Sequence, residues 1–317
     1  MVKIERAIEI ILVECINLKK GEVVLIITDE FKRNIGFLFS EKAREFGSES
    51  ILIEIPPLRI NGEEPPDAVA AIMKEVDVII APTEKSITHT DARRDASSRG
   101  ARTITLPGIT RNILERCVDV DYSEMKEITK KLADLLTIGK EVRIETDLNT
   151  DLFMNIKGQK GIPDTGLVHR KGDISNLPAG EAFLSPVEGS TRGRLVIDGS
   201  MGNTGLIRKP IRMIVKNGFA IRIFGEREAR IIRRQIRGFG KMARNIAELG
   251  IGTNYRAKIS GNVLEDEKVM GTIHVAIGNN VSMGGTVNVN CHLDGIVRDP
   301  TLYIDDKLIL KNGKLMI

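Results

Sequence analysis

Residues 22–28, EVVLIIT, decide the fold of the first half of the chain. Their apolar residues follow one another without the alternation of a strand that has one face in water, which is typical of a strand buried on both faces of a parallel sheet. Three further segments, at 50–55, 76–80 and 102–106, are also apolar without strict alternation. Helical patterns precede and separate these strands, at about 3–17, 31–46, 67–74 and 89–99. This alternation predicts an α/β domain with a doubly wound, mostly parallel sheet over residues 1–137, ending in a helix at 123–137.

The second half of the chain has a different pattern of apolar and polar residues. Segments 141–146 and 151–156 alternate apolar and polar residues with period two, and glycine becomes frequent. Such alternation is typical of antiparallel strands with one buried face. Strand patterns continue to the C-terminus, interrupted by one predicted helix near 226–248. We therefore predict a β-rich α+β domain over residues 138–317.

Composition limits the classes of protein to which the chain can belong. It has 317 residues, of which 42% are hydrophobic and 28% charged, as in folded globular domains. No segment approaches the roughly 20 apolar residues of a membrane span. The N-terminal residues carry charges where a signal peptide is apolar. We therefore expect a cytoplasmic protein with no membrane partner, and its dense Lys, Arg and Glu content is thermophile-like.

Cysteine content and charge exclude further classes. Cys15, Cys117 and Cys291 lie far apart and form no CxxC pair, which excludes a disulfide framework or a zinc ribbon. The 47 basic and 43 acidic residues leave a net charge of +4, with the two signs interspersed. So small a bias does not indicate a nucleic-acid partner.

The predicted helix near 226–248 carries a basic face. Its apolar stripe is formed by Ala229, Ile232 and Ile236, and the basic residues that share another face are Arg230, Arg233, Arg234 and Arg237. A nucleic-acid-binding face is the non-enzymatic alternative. Because no aromatic residues are interleaved, we favour a solvated face or one that binds the carboxylate end of a peptide.

The four histidines are few enough for their positions to be informative. His89 precedes a predicted helix, where capping is the favoured interpretation, and His169 belongs to no recognisable motif. His292 and Asp294 lie two residues apart in a strand pattern, so they project from the same face and can bind one metal ion. His274, on another strand-like segment, could add a third ligand. Zinc, cobalt, manganese and ferrous iron all suit this set, although an HxD pair in a strand can also be purely structural.

Two glutamates stand in unusual surroundings. Glu181 and Glu248 are each flanked by apolar residues and glycine, and the helix prediction puts Glu248 at the end of the basic helix. A buried carboxylate needs a partner, and a metal ion is one such partner. The alternative is an exposed carboxylate in a loop.

Four segments in the same order resemble the M29 family of metalloaminopeptidases, the thermophilic aminopeptidases T and S. They are 176–183, 247–254, 266–278 and 292–295, and segments 20–29 and 86–93 are similar to the first domain of that family. The resemblance covers nearly the whole chain. It implies a homodimer that removes N-terminal residues from peptides with two divalent ions, zinc, cobalt or manganese. The implied ligands are Glu181, Glu248, His274, His292 and Asp294.

The chain departs from the aminopeptidases at two positions. Val269 stands where they carry a glutamate, and Val281 where they carry a tyrosine that can stabilise an oxyanion. The nearest acid is Glu267, which we expect to be the general base that takes a proton from the attacking water. The same superfamily contains ring-cleaving dioxygenases that act on dihydroxypyridines with one ferrous ion. This alternative, in which His274, His292 and Asp294 bind the iron, does not need the missing glutamate and tyrosine.

Overall fold

Three β-sheets organise the protein, whose computed structural model describes residues 3–317. The chain divides into two units, residues 3–123 with 164–179, and residues 124–163 with 180–317. Eight α-helices are found in the described part of the chain, namely α1 (Lys3–Ile10), α2 (Arg33–Glu45), α3 (Asp67–Ile72), α4 (Asp91–Ser98), α5 (Arg111–Cys117), α6 (Tyr122–Ile138), α7 (Arg227–Gln235) and α8 (Val263–Asp266). None of the helices within residues 3–317 is long and apolar enough to cross a membrane.

The strands are likewise numbered in chain order. Those up to residue 176 are β1 (Val23–Thr28), β2 (Glu49–Glu54), β3 (Val78–Ala81), β4 (Arg102–Thr105), β5 (Glu141–Glu145), β6 (Asp151–Asn155), β7 (Ile162–Asp164) and β8 (Ile174–Asn176). The remaining strands are β9 (Glu181–Leu184), β10 (Arg192–Ile197), β11 (Ile211–Lys216), β12 (Phe219–Phe224), β13 (Ile246–Gly252), β14 (Ile273–Gly278), β15 (His292–Val297), β16 (Thr301–Ile304), β17 (Lys307–Lys311) and β18 (Lys314–Leu315).

The first unit is built on a five-stranded sheet in the order β2-β1-β3-β4-β8, in which all neighbours run parallel. From Val24 to Thr28 every residue of β1 is buried, as its uninterrupted apolar sequence predicts. Leu25, Ile27 and Ile79 belong to one apolar core with residues of α3 and α4. The predicted α/β fold class is therefore confirmed. The domain division at residue 137 stays a prediction.

The second unit contains two antiparallel sheets. The larger has eight strands in the order β12-β11-β10-β6-β5-β16-β17-β18, and the smaller has five in the order β15-β14-β13-β9-β7. Side chains from both contribute to one apolar core, for example Leu152 and Leu195 from the larger sheet and Leu249 and Val275 from the smaller. This agrees with the predicted β-rich second half.

The predicted helix over 226–248 is wrong in its second part. The helix α7 ends at Gln235, a 3₁₀ turn covers Lys241–Arg244, and β13 begins at Ile246. Gly238 and Gly240 both adopt positive φ, which interrupts the helix. Every residue of β13 is buried, so Glu248 lies within a strand rather than at a helix end. The predicted apolar stripe of α7, Ala229 and Ile232 with Ile236 after it, is buried as expected.

Candidate metal centre

One face of the smaller antiparallel sheet carries the acidic and histidine residues singled out in the sequence. Residues directly opposite each other in antiparallel strands project from the same face. Glu248 of β13 pairs with Ala276 of β14, and Ala276 pairs with Asp294 of β15. The same register pairs Gly250 with His274, Gly278 with His292, and Gly252 with Glu181 of β9. We call this surface the ligand face; its five polar residues are Glu181, Glu248, His274, His292 and Asp294.

Small residues separate the polar side chains on the ligand face. A Cβ atom on Gly250 would lie 2.1 Å from both Cε1 and Nε2 of His274, so the imidazole rests directly on the backbone of β13. Ala276 stands between the two carboxylates of Glu248 and Asp294, where a larger side chain would fill the space between them. On both β13 and β14, one large polar residue on the ligand face is followed by positions no larger than alanine, which leaves space for the polar side chains of the neighbouring strands.

The polar atoms of the ligand face form a row. His274 Nε2 lies 3.3 Å from Glu181 Oε2 and 3.4 Å from Glu248 Oε1. His292 Nε2 lies 3.2 Å from Glu248 Oε2 and 3.3 Å from Asp294 Oδ1. Two groups could each hold a metal ion, Glu181 with Glu248 and His274, and Glu248 with His292 and Asp294. The five predicted residues are thus brought together, but as two groups that share Glu248 rather than as a single cage.

These separations suit atoms that bind a common cation. Two donors each about 2.1 Å from one ion, at octahedral or tetrahedral angles, are about 3.0 to 3.4 Å apart. The four distances along the row, 3.2 to 3.4 Å, match this spacing. They are longer than the usual charge-assisted hydrogen bond of about 2.7 to 2.9 Å. The donor set therefore fits a divalent ion.

A backbone carbonyl orients one of the imidazoles. His292 Nδ1 lies 2.7 Å from the carbonyl oxygen of Asn279, which can only accept a hydrogen bond, so Nδ1 carries the proton. The Nε2 atom of the neutral ring is then left with its lone pair directed to the carboxylates, which is the usual arrangement of a metal-binding histidine. His274 Nδ1 is buried and has no hydrogen-bond partner among residues 3–317.

Without a metal ion, the row holds its charge as paired carboxylates and imidazolium groups. Burial opposes the ionisation of Glu248, yet hydrogen bonds from His274 and His292 hold its pKa well below the ordinary 4.5. Burial would also lower the pKa of His274, but the hydrogen bond to Glu248 and the charge of Glu181 raise it to about 9. The pKa of His292 is likewise raised well above 6.5, against the effect of burial, by Asp294 and Glu248. A metal ion that binds here has to displace these protons.

A buried lysine lies at one end of the row. Lys268 is fully buried, and its Nζ lies 2.5 Å from Glu181 Oε1 and 2.8 Å from Glu267 Oε1. Glu267, the expected general base, therefore approaches the row through Lys268. Burial raises the pKa of Glu267 to about 8; the Lys268 charge opposes this shift and the charges of Glu181 and Asp294 add to it.

Sequence reasoning missed Lys268 as a component of the site. It stands in a run of four charged residues, EDEK at 265–268, which resembles a solvated surface segment. Yet Glu265, Asp266 and Lys268 are all fully buried. The available signal was the apolar and glycine-rich stretch that follows, VMGTIHVAIG at 269–278, which suits a segment entering the interior.

The other sequence candidates lie elsewhere. His89 and His169 belong to the first unit. The side chain that caps α4 is that of Thr90, which accepts a hydrogen bond from the backbone N–H of Arg93, so the capping role considered for His89 falls to its neighbour. Val269 pairs with Asn254 in an isolated bridge, and Val281 is half exposed in a 3₁₀ turn.

A mixed parallel and antiparallel scaffold with histidines and carboxylates gathered on one sheet is typical of α/β proteins able to bind a metal ion. Comparisons with known proteins identify the family. The model of the 2,5-dihydroxypyridine 5,6-dioxygenase (NicX) family matches residues 6–317, so the chain belongs to this family. A curated relative, 2,5-dihydroxypyridine 5,6-dioxygenase of Pseudomonas putida, is 25% identical over 197 residues. That match covers 57% of this chain and 56% of the relative, so the chain spans little more than half the length of the curated relative.

Solved structures support the fold. The 2,5-dihydroxypyridine dioxygenase of Pseudomonas putida KT2440 superposes with a TM-score of 0.87 at 18% identity, over 99% of this chain and 96% of that one. AmpT from Thermus thermophilus superposes with a TM-score of 0.77 at 14% identity, over 99% of each chain. The resemblance to the aminopeptidases therefore holds for the fold.

The aminopeptidase interpretation itself is wrong. Family membership and the curated relative both indicate a dioxygenase, an oxidoreductase, rather than a metallopeptidase of the hydrolase class. The M29 assignment is therefore wrong for the function, and the family description does not support the predicted zinc or cobalt. The physical reason for the error is that histidines and carboxylates suit several metal ions and one scaffold can carry unrelated reactions, so ligand motifs alone cannot separate the two chemistries. The substitutions at Val269 and Val281 were the signal against peptide hydrolysis.

Proposed function

We propose that the protein is a ring-cleaving dioxygenase that acts on 2,5-dihydroxypyridine or a similar dihydroxylated ring, with one ferrous ion bound by His274, His292 and Asp294. The observation that carries the proposal is that two imidazoles and a carboxylate lie on one face of a sheet, in a chain of the dioxygenase family. The two imidazoles are joined by Glu248, whose carboxylate oxygens lie 3.4 Å from His274 Nε2 and 3.2 Å from His292 Nε2. Two histidines and one carboxylate are the ligand set of many non-haem ferrous oxygenases. The substrate class follows from the names of the family and of the curated relative.

A bound ferrous ion would supply the one-electron chemistry through which dioxygen can react with an aromatic ring. The chain's own residues prepare the site for it. The carbonyl of Asn279 holds His292 in the tautomer whose Nε2 is a lone-pair donor. Glu248 of β13 lies within 3.4 Å of both imidazoles, His274 on the adjacent strand β14 and His292 on β15 beyond it, and helps to fix their orientation.

Two further residues would serve the substrate. Glu267, whose pKa of about 8 leaves it ionised only above that pH, can in its ionised form take a proton from a ring hydroxyl, in place of the attacking water of a peptidase. Phe183 of β9 pairs with Gly250, so it belongs to the ligand face, and it is half-buried. Its ring offers a flat apolar surface against which an aromatic substrate can stack.

The proposal is tested by dioxygen uptake. Protein purified anaerobically and loaded with ferrous iron should consume one dioxygen for each 2,5-dihydroxypyridine whose ring absorbance disappears. Asp294→Ala should abolish both signals because a ligand is lost, whereas Asp306→Ala, which removes an exposed aspartate of the same unit, should leave them unchanged. Absence of uptake by the iron-loaded protein would reject the activity. Undiminished uptake by Asp294→Ala would reject the proposed ligands.

A further inference from the structure

Among the lysines and arginines of residues 3–317, Lys268 is the one that is fully buried and bonded to the ligand face. It bonds to one oxygen of Glu181, while the other oxygen of Glu181 lies 3.3 Å from His274 Nε2. A single row of alternating charge therefore runs from Lys268 through Glu181, His274, Glu248 and His292 to Asp294. The row has a built-in cation at one end.

The position of Lys268 is fixed by its backbone. Its N–H donates to the carbonyl of Glu265, closing the turn after α8, and its carbonyl accepts a hydrogen bond from the N–H of Asn254 at 2.8 Å. The segment is also held close to β13, since a Cβ on Gly252 would lie 2.1 Å from the carbonyl oxygen of Val269. The side chain is thus directed into the row by a rigid frame.

The two groups that could hold a metal ion share Glu248, which is how a dinuclear site bridges its ions. In such sites the ions lie about 3.5 to 4 Å apart. A second ion would need Glu181, Glu248 and His274. Its place adjoins the Lys268 ammonium, which already uses Glu181 Oε1 and would repel a divalent cation at so short a distance in a buried setting.

We infer that Lys268 substitutes for a second metal ion and thereby sets the stoichiometry of the site at one. Its ammonium neutralises Glu181, so the group formed by Glu181, Glu248 and His274 lacks the free carboxylate charge that a second ion would need. This inference rests on the proposed function to the extent that the site binds a divalent ion. It assigns to Lys268 the role of deciding metal number, and to Glu181 the role of a counterion rather than a ligand.

The test is a count of bound ions that needs no turnover. Metal-free protein is dialysed to equilibrium against excess Mn²⁺, the manganese per chain is measured, and the electron paramagnetic resonance spectrum is recorded. Wild-type protein should bind one ion with an uncoupled signal. Lys268→Met, which keeps the length of the side chain but removes its charge, should bind two ions, and their sharing of Glu248 should produce a spin-coupled signal. Lys268→Arg, the charge-preserving control, should bind one.

The variant Lys268→Met leaves Glu181 and Glu267 without a counterion, which can prevent folding. The double variant Lys268→Met/Glu267→Gln, which also removes the second carboxyl group that contacts Lys268, is used in that case. Two ions in the wild type, or one ion in a folded variant without the lysine charge, would overturn the inference. A second ion without spin coupling would also overturn it, because that ion would lie elsewhere.

Failure of the proposed function has a different signature. Wild-type protein that binds no Mn²⁺ would refute the metal site itself and the inference with it. Protein that counts one ion in the wild type and two coupled ions in Lys268→Met, yet fails to consume dioxygen with 2,5-dihydroxypyridine, would refute the activity and leave the role of Lys268 standing.

Discussion

Replacing Gly250 by alanine should remove metal binding while leaving the fold in place. The added Cβ would lie 2.1 Å from Cε1 and Nε2 of His274, and an ordinary contact begins at 3.4 Å, so the imidazole has to move by about 1.3 Å. Metal–ligand distances tolerate only about 0.2 Å. Mutation of groups that only orient the metal ligands lowers metal affinity about 10- to 100-fold. Displacement of a ligand itself should therefore lower the affinity about 100-fold or more.

The assay is equilibrium dialysis against Mn²⁺ or Fe²⁺, with the thermal midpoint of each variant recorded beside it. Overpacking by one methyl group costs about 1 to 3 kcal/mol of unfolding free energy, so a moderate fall in the midpoint is expected. Gly139→Ala is the matched control because its Cβ would lie 2.5 Å from Ile304 Cγ2, away from the ligand face. It should lose similar stability and keep wild-type affinity. Wild-type affinity in Gly250→Ala would refute the role given to the close approach of His274.

Two further predictions concern protons at the site. Because the pKa of Glu267 is about 8, kcat/KM should rise with pH through that value as the carboxylate forms. The variant Glu267→Gln should flatten this limb of the pH–rate profile. An unchanged limb would assign the titration to another group. Because the pKa of His274 is about 9 without metal, protons compete with the ion below that pH, and the apparent affinity for Mn²⁺ should increase between pH 6 and 9. Calorimetry in buffers of different ionisation enthalpy should detect the release of protons on binding. A pH-independent affinity would contradict the raised pKa of His274.

Much of the fold could be predicted from sequence because its strongest elements are local patterns. The continuous apolar run of β1 and the regular alternation of β5 and β6 both lead to strands that the structure contains. β8 could not be foreseen in the same way. It has only three residues, and it joins the parallel sheet by pairing with β4, about seventy residues earlier in the chain. Such a pairing depends on the tertiary fold rather than on any pattern within the strand itself.

The residues of the candidate metal centre could be proposed from sequence, whereas their spatial arrangement could not. The HxD spacing of His292 and Asp294 carries its geometry within one strand. The helical periodicity of the basic segment predicts a helix that reaches Glu248, whereas Gly238 and Gly240, both with positive φ, lie between the end of that helix and Glu248. Lys268 was overlooked because nothing local separates a charge run that is solvated from one whose partners arrive from distant strands. Asp266, for example, accepts a hydrogen bond from the hydroxyl of Ser200, 66 positions away, and Glu181 of β9 lies 87 positions from Lys268.

The way the ligand face is assembled links metal binding to the stability of the folded protein. Its residues come from four strands between positions 181 and 294, so an unfolded chain holds no cluster that resembles the site. A cation that binds there selects the folded form and adds to the free energy of unfolding, by about 2.7 kcal/mol when its free concentration is 100 times the Kd. Cellular metal supply would then govern how long each copy of the protein survives, as well as whether it can work.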